Sequence, residues 1–530
     1  MVSLYPDYFN DVFGPIMQPG SSSHFAAPCR IGLLARSLLG EEPAEAQFIM
    51  APESSWAGTF GLMREDFGML GGVLGLKPDD VGLFSAKELA RGAGLRFDYR
   101  FEAVPESDHP NALKIRLAGS SGRRVELVGD STGGGMVECR AIDGFLVSFR
   151  GDCHVLLARE IPGQADASAI SRIESGLQGL LEGGRLPGSH NASLCFWKLS
   201  EKPDLEGLRA GFRSLRLDLL EAILPVVSSA KKLPQLFDSM TAWREIAQAS
   251  GQSLFETALE YELRSSGWGR DVVLDAMREI ERLLWRQTHA LYEEGPSFTR
   301  EEFGRYDSEA WDRHSGAEDK GVSGTTRLAI RSALAVVAKV PGVKIVPGPM
   351  GTGGGFLYSA LDAARTVKKL GDEEVLRGLF IAAGVGAIAY TRAEPTGEMM
   401  GCAGECGICS AMAAAAIAEA SGGSPAAVEN AASFALQAMI GLPCDPIPGG
   451  FEQPCFSRIV SAVSNALVFS ELALAGSDAV LPFHEALDAA ARVGRSLPSE
   501  LRCTSKGGCC TTPTGQRQAA AFAAKARSRG

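Results

Sequence analysis

A chain of 530 residues, 45% hydrophobic and 22% charged, has room for about three domains and is too apolar for a disordered or fibrous protein. Its formal net charge of −11, with no basic patch to offset it, argues against nucleic acid as a partner. Small anionic substrates would then rely on local cations or backbone NH groups.

The opening MVSLYPDYFNDVF carries two acids and no basic run ahead of an apolar stretch, so it does not read as a signal peptide. The longest apolar stretch, residues 378–390, is about 13 residues long, short of a membrane span. The expectation is a cytoplasmic chain without a membrane partner. In that compartment its 12 cysteines stay reduced. Eight of them lie between Cys402 and Cys510, which suggests a metal site, with small core residues as the alternative.

In chain order, residues 1–162 combine a helix (IGLLARSLLG) with strands (LKIRLA, RRVELVGD and FLVSFRG), an α+β domain. About residues 163–228, HVLLARE, ISRIESGLQGLL, ASLCFWKLS and DLEGLRAGF read as strand, helix, strand and helix, a small βαβ-type domain. From 229 to 530 nearly every periodic segment is helical, including LFETALEYELRSS, VLDAMREIERLLWRQTHALYEE and TRLAIRSALAVVAK. Within that stretch, residues 294–325 are charged and poor in aliphatics, an exposed excursion.

Chemistry concentrates in four places. QPGSSSHF (18–25) precedes a helix, where three hydroxyls and free NH groups suit an anion such as a substrate carboxylate; a plain N-cap is the alternative. The glycine runs STGGG (131–135) and GPMGTGGG (348–355) allow close backbone approach, and neither fits a P-loop or a dinucleotide fingerprint. GCAGECGIC (401–409) puts Cys402, Cys406 and Cys409 on one face of a helix entered after Pro395 and Gly397. GLPCDPIPGGFEQPC (441–455) carries Cys444 and Cys455 on a loop that Pro446, Pro448, Gly449 and Gly450 keep out of helix. Thiolates from a helix end and a stiff loop suit an iron–sulfur cluster or zinc; packing cysteines among alanines are the bland reading. The C-x3-C-x2-C spacing also occurs in radical S-adenosylmethionine enzymes, but there it lies in an early loop, whereas here it falls late among Ala-rich helices.

In this order the pieces resemble the iron–sulfur-dependent L-serine dehydratases with fused β and α parts, of which this chain looks like a divergent member. DVFGPIMQPGSSSHFAAPCRIGLLARSLLG and GDSTGGGMVECRAIDGF carry the resemblance to the β part. GCAGECG, SAMAAAAIAEASGGSP, GLPCDPIPGGFEQPCFSR, SNALVFSELALAG and LRCTSKGGCCTTPTG carry it to the α part. The resemblance implies a β-like domain (1–162), an ACT-like domain or linker (163–228) and a helical α-like domain (229–530) with the cluster. It implies a 4Fe-4S cluster on Cys402, Cys444 and Cys455 with one open iron, able to take the leaving hydroxyl as a Lewis acid. Cys406, Cys509 and Cys510 stand as extra thiols, and Asp445, Glu452 and Arg458 as neighbours of the ligands. His24, Asp66 and Ser22 are the implied catalytic residues, with Ser21, Ser22, Ser23, Thr396 and Gly353 around the substrate. A homodimer is the implied assembly.

Three departures bear on the substrate. Met63, in LMRED (62–66), stands where the family carries the His of its likely base; Asp66 is kept, but a carboxylate of ordinary pKa is a poor base for a Cα proton unless burial raises it. Met350 replaces a hydroxyl in GPMGTGGG. Cys406, Cys409, Cys503, Cys509 and Cys510 are surplus thiols. The expected activity is therefore loss of water and ammonia from serine or a relative. Elimination of sulfide from a thiol amino acid and a catalytically silent cluster-carrying sensor or scaffold are the alternatives.

Overall fold

A computed structural model of the chain describes residues 5–61, 63–161, 168–188, 193–230, 233–293, 311, 314, 323–340, 342–349, 351, 353–447 and 454–528. Most of the charged stretch 294–325, Met350 and the loop residues Pro448, Gly449, Gly450 and Glu452 thus lie outside the described residues. The chain has the expected mixed α+β class, with sheets first and helices after.

Six strands, β1 (Pro43–Met50), β2 (Arg96–Phe101), β3 (Ala112–Gly119), β4 (Arg124–Gly133), β5 (Met136–Ile142) and β6 (Phe145–Phe149), form a sheet in the order β2-β1-β3-β4-β5-β6. Its β1–β2 pair is parallel and the other pairs are antiparallel. The helix Ala27–Leu39 lays Ile31, Leu34 and Leu38 on the buried face of this sheet, with Ile115 and Leu127. It crosses the helix Glu65–Val73 at Gly32 and Gly72, where a Cβ on either would come within 2.9 Å of the other's Cα. Two glycines are what this close crossing requires.

A second sheet, β7 (His154–Glu160), β8 (Leu180–Pro187), β9 (Ser193–Leu199) and β10 (Leu215–Leu220), is antiparallel throughout in the order β10-β7-β9-β8. With the helices Ala169–Gly176 and Leu205–Gly211 it makes a β-α-β-β-α-β unit. Its first strand starts at His154, upstream of residue 163. The stretch read as one helix, ISRIESGLQGLL, ends as a helix at Gly176, and Leu180 opens β8 instead. Gly183 and Gly184 explain the switch: with no side chains there, β8 lies flat against the Trp197 and Phe196 rings. Alternation along β7 splits its side chains, Val155 and Leu157 facing the first core and Leu156 and Ala158 the helices of the second unit.

The C-terminal helices pack around Asp372–Arg392 and Ile408–Ala420. ICSAMAAAAIAEA is buried on every side except at Glu419, as a helix apolar all round must be. Its alanines admit neighbours closely: a Cβ at Gly378 would lie 2.8 Å from the Ala416 carbonyl. Three helices, Asp372–Arg392, Ala403–Ala420 and Cys455–Leu474, reach the length and apolarity of a membrane span, beyond the 13-residue stretch read from the sequence. Their apolar windows are 78%, 89% and 39% buried within the protein, so for the first two the apolar surface is already covered.

The N-terminal segment joins the helical region before it enters the sheet. Tyr8 stacks on Tyr261 at 5.3 Å, and its backbone NH donates to Glu262 Oε2 at 2.8 Å. Met17 and Ile345 exchange backbone hydrogen bonds of 3.1 and 2.8 Å. Residues 18–24 are thereby held at the seam between sheet and helices.

Candidate active site

Two uncommon π-helical turns frame this seam, Ser22–Ala26 and Ala403–Gly407; such turns recur at functional sites. Both glycine runs reach it. A Cβ at Gly351 would lie 2.9 Å from the Ser22 backbone nitrogen, one at Gly133 would lie 2.5 Å from Thr396 Cγ2, and one at Gly134 would collide with the Tyr390 hydroxyl. Gly133 and Gly134 have φ of 102° and 60°, a second reason for glycine there. Thr396 caps the short helix Gly397–Met400 and accepts from the Met399 NH at 3.3 Å, while Gly353 opens the helix Gly353–Lys368.

His24 sits in the first of these turns, 1% exposed. Its Nδ1 faces the Ser21 hydroxyl at 3.1 Å and its Nε2 the Ser55 hydroxyl at 3.3 Å. Ser55 Oγ also lies 2.5 Å from Asn111 Oδ1, and Asn111 Nδ2 lies 3.4 Å from Glu398 Oε1. Hydrogen-bond logic orders this chain. A carboxylate only accepts, so the Asn111 NH2 faces Glu398 and its carbonyl faces Ser55. Ser55 spends its single proton on that carbonyl and accepts from the ring. Nε2 is thereby assigned a proton, and Nδ1 faces the Ser21 hydroxyl.

The thiols come from separate segments of the helical region. Cys402 precedes the turn Ala403–Gly407, its NH donating to the Leu442 carbonyl at 2.8 Å. Cys444 is pinned by a short bridge in which its NH donates to Leu501 O at 2.8 Å and its carbonyl accepts from Cys503 N at 2.7 Å. Cys455 opens the helix Cys455–Leu474. Arg458, one turn on, pairs with the buried Asp445 at 2.7 Å and donates to the Pro443 carbonyl at 2.5 Å. A hydrogen bond from Cys406, followed by the charge of Arg458, draws the Cys402 thiol below its ordinary value. That same hydrogen bond and burial push the Cys406 thiol well up, with Cys409 and Cys455 adding to it. Hydrogen bonding to Cys503 and burial likewise push Cys444 up. A Cβ at Gly397 would lie 2.7 Å from Cys444 Sγ, so glycine leaves the sulfur its space. Soft donors beside a cation are a set that could hold an iron–sulfur group.

Other residues singled out from the sequence lie around this centre. Cys409 donates to the Gly348 carbonyl at 2.6 Å and Cys510 to Gly507 O at 2.7 Å, while the Cys509 NH donates to Asp445 Oδ2 at 2.7 Å. Ser22 and Ser23 are buried in the turn with His24. Asp66 is buried and paired with Lys87 at 2.5 Å, its other oxygen accepting from the Phe67 NH at 3.0 Å. Met63 is half-buried.

Four functional candidates escaped the sequence reading. Ser55, Asn111 and Glu398 form the relay, from three distant segments with no local motif. Tyr390 is the fourth: its hydroxyl is buried with no hydrogen-bond partner among the described residues, and burial holds its phenol well above the ordinary value. Cys503 was noted only as a surplus thiol. It holds φ of 60°, strained for a residue with a Cβ, and together with His24 and Glu398 offers ligand atoms within 4.8 Å of one another.

Comparison with known proteins bears on both halves of the chain. The serine dehydratase alpha chain family model matches residues 324–510. The probable L-serine dehydratase alpha chain of Bacillus subtilis is 34% identical over 187 residues, 35% of this chain and 60% of that protein. The probable L-serine dehydratase alpha chain of Latilactobacillus sakei is 37% identical over 167 residues, 32% of this chain and 80% of the relative. The L-serine dehydratase beta chain of Peptoniphilus asaccharolyticus is 34% identical over 169 residues, 32% of this chain and 74% of the relative. Against the Bacillus protein the match spans 60% of the relative's length.

Proposed function

The chain belongs to the L-serine dehydratase family, and from that premise we propose that it is a lyase removing the β-hydroxyl as water, and then ammonia, from L-serine or a close relative. The observation that carries this reading is the convergence of an oriented imidazole and a set of soft thiols at one seam. We assign a 4Fe-4S cluster to Cys402, Cys444 and Cys455, with Cys406, Cys509 and Cys510 as further thiols nearby. Bound there, a cluster with one iron left open supplies Lewis acidity to a leaving hydroxyl.

The chain's own residues supply the rest. The hydroxyls of Ser21, Ser22 and Ser23 and the NH groups of their turn would take the substrate carboxylate. Thr396, Gly353 and the orphan Tyr390 hydroxyl would close around the amino acid. His24 would take the Cα proton on Nδ1 once the Ser21 hydroxyl turns to the substrate, and the relay through Ser55 and Asn111 to Glu398 would stabilise the imidazolium. Asp66, with Lys87 on one oxygen and a backbone NH on the other, suits anchoring of its helix better than proton transfer. Loss of hydroxide from Cβ then leaves an enamine, whose hydrolysis gives a 2-oxo acid and ammonia.

We further read residues 163–228, with β7, as an ACT-like unit, supported by its strand order, and the chain as a cytoplasmic homodimer, supported by 12 free cysteines for the compartment and by family resemblance for the dimer. Anaerobic purification with iron and sulfide counts and a visible spectrum tests the assignment. The expected result is a brown protein forming pyruvate from L-serine, with colour lost in Cys444→Ser. A colourless zinc protein would overturn the cluster, and sulfide released from cysteine with no product from serine would replace the hydroxyl substrate by a thiol one.

A further inference from the structure

Three segments that share no motif each bring one metal-ligating side chain to a single point at the seam. His24 comes from the turn Ser22–Ala26, Glu398 from the short helix Gly397–Met400, and Cys503 from the stretch after the turn Ser499–Leu501. A ring nitrogen, a carboxylate oxygen and the sulfur lie within 4.8 Å of one another. Tetrahedral zinc, with bonds of about 2.0–2.3 Å, asks for donors about 3.3–3.8 Å apart, so closing on an ion needs shifts of about 1 Å. The donors are mixed nitrogen, sulfur and oxygen, a set that suits zinc, whereas magnesium and calcium take oxygen shells. A thiolate and a carboxylate together balance a divalent ion in a site largely closed to solvent.

The surroundings hold these donors in place and leave the carboxylate short of a cation. Glu398 is half-buried, and among the described residues its contact is the long 3.4 Å one from Asn111 Nδ2 to Oε1, with no cation paired to it. Cys503 is buried, its NH fixed to the Cys444 carbonyl at 2.7 Å. Thr504, next in the chain, lies against the helix that begins at Ser55: a Cβ at Gly58 would come within 3.5 Å of the Thr504 carbonyl. The thiol is thereby fastened beside the serine that faces His24. Whichever ring nitrogen ligates, the other keeps a serine hydroxyl as its outer partner, Ser21 at 3.1 Å or Ser55 at 3.3 Å.

We propose that His24, Glu398 and Cys503 form a second metal site, for Zn²⁺, distinct from the cluster assigned to Cys402, Cys444 and Cys455, and that filling it inhibits the enzyme. Ligation releases the thiol proton, and any proton on the ligating nitrogen, to solvent. Binding stands on these three residues alone; inhibition rests on the proposed role of His24 as the base. The test equilibrates the cluster-loaded full chain anaerobically with zinc buffered by nitrilotriacetate, counts iron and zinc, and reads the ligand shell by zinc-edge X-ray absorption. Expected are one zinc per chain at unchanged iron and a shell of one sulfur at about 2.3 Å with nitrogen and oxygen at about 2.0–2.2 Å. Affinity should be at least tenfold weaker in Cys503→Ser and in Glu398→Gln, and turnover should fall in step with zinc uptake and return with chelator. No uptake, or affinity unchanged in either variant, would overturn the site. A shell of several sulfurs, or uptake matched by loss of iron, would overturn it in favour of the other thiols. Zinc bound as expected with turnover unchanged would overturn the inhibition and, with it, the role of His24. Should the chain load no cluster, Glu398→Gln keeps the test decisive, because Glu398 belongs to no set of thiols: zinc affinity unchanged in that variant overturns the site in the cluster-free chain as well.

Discussion

Replacing Tyr390 by Phe removes one oxygen, and the structure assigns opposite signs to its effects on stability and on turnover. The hydroxyl is buried at the seam, beside Gly134, without a hydrogen-bond partner among the described residues. A buried polar group left unsatisfied costs about 1–3 kcal/mol, so its deletion should raise the stability of the ligand-free protein by up to that amount. Burial also keeps the phenol protonated, so it can serve only as a donor or neutral acceptor. If it donates to a substrate carboxylate, the lost charged hydrogen bond is about 1.5–3 kcal/mol, or roughly 10- to 150-fold in kcat/KM. Thermal unfolding with and without substrate, together with initial rates on L-serine, gives both numbers from one pair of proteins. A Tyr390→Phe protein less stable than wild type by more than about 1 kcal/mol would show that the hydroxyl has a partner. A more stable protein with unchanged kcat/KM would show that it does not address the substrate.

Arg458→Met should destabilise the helical region by about 3–5 kcal/mol by stranding the buried Asp445, and Arg458→Met/Asp445→Asn should recover part of the loss, as read by urea unfolding; a double variant no better than the single one would refute the pairing. Glu65 is buried with its pKa pushed well above the ordinary 4.5, so the folded state prefers it protonated: its stability contribution is intact below that pH and falls as pH rises and the unfolded chain ionises. Glu65→Gln, able to donate to Thr59 Oγ1 and accept from the Gly61 NH, should therefore match wild type near pH 4 and exceed it at pH 8. His24→Gln should lower kcat by about 10²–10⁴ while leaving cluster colour unchanged, and Ser55→Ala should lower it less by freeing the ring; parallel loss of colour would place His24 in the socket instead. Gly397→Ala, whose Cβ would lie 2.7 Å from Cys444 Sγ, should cut iron content with a stability cost of about 1–3 kcal/mol, and full iron loading would show that the sulfur has room to move.

What was legible in the sequence was whatever a short segment carries by itself. SSSH, GCAGECGIC and the loop carrying Cys444 and Cys455 announce hydroxyls and thiols because their chemistry is contiguous. IGLLARSLLG announces its helix through periodicity and its end through Gly40, which stops it with φ of 69°. β8 was misread because LLEGGRLP has neither alternation nor β-branched residues; its strand state comes from Trp197 and Phe196 on the neighbouring strand, a tertiary effect outweighing a weak local signal. Ser55, Asn111 and Glu398 are ordinary polar residues far apart in the chain, and only the fold makes them a relay.

The seam itself explains why both halves are needed. Tyr5 to Phe13 pack in the helical core before the chain enters its own sheet, so the turn holding His24 is fastened at one end to helices and at the other to strands. Met17 bonds to Ile345 just ahead of the second glycine run, and Gly133 and Gly134 meet Thr396 and Tyr390 from the opposite side. The hydroxyl turn and the imidazole thus sit where residues of both halves meet, while the three thiols all come from the helical region. A helical half alone would therefore keep the thiol set and lose the imidazole and the hydroxyl turn together, so the proposed elimination needs the whole seam.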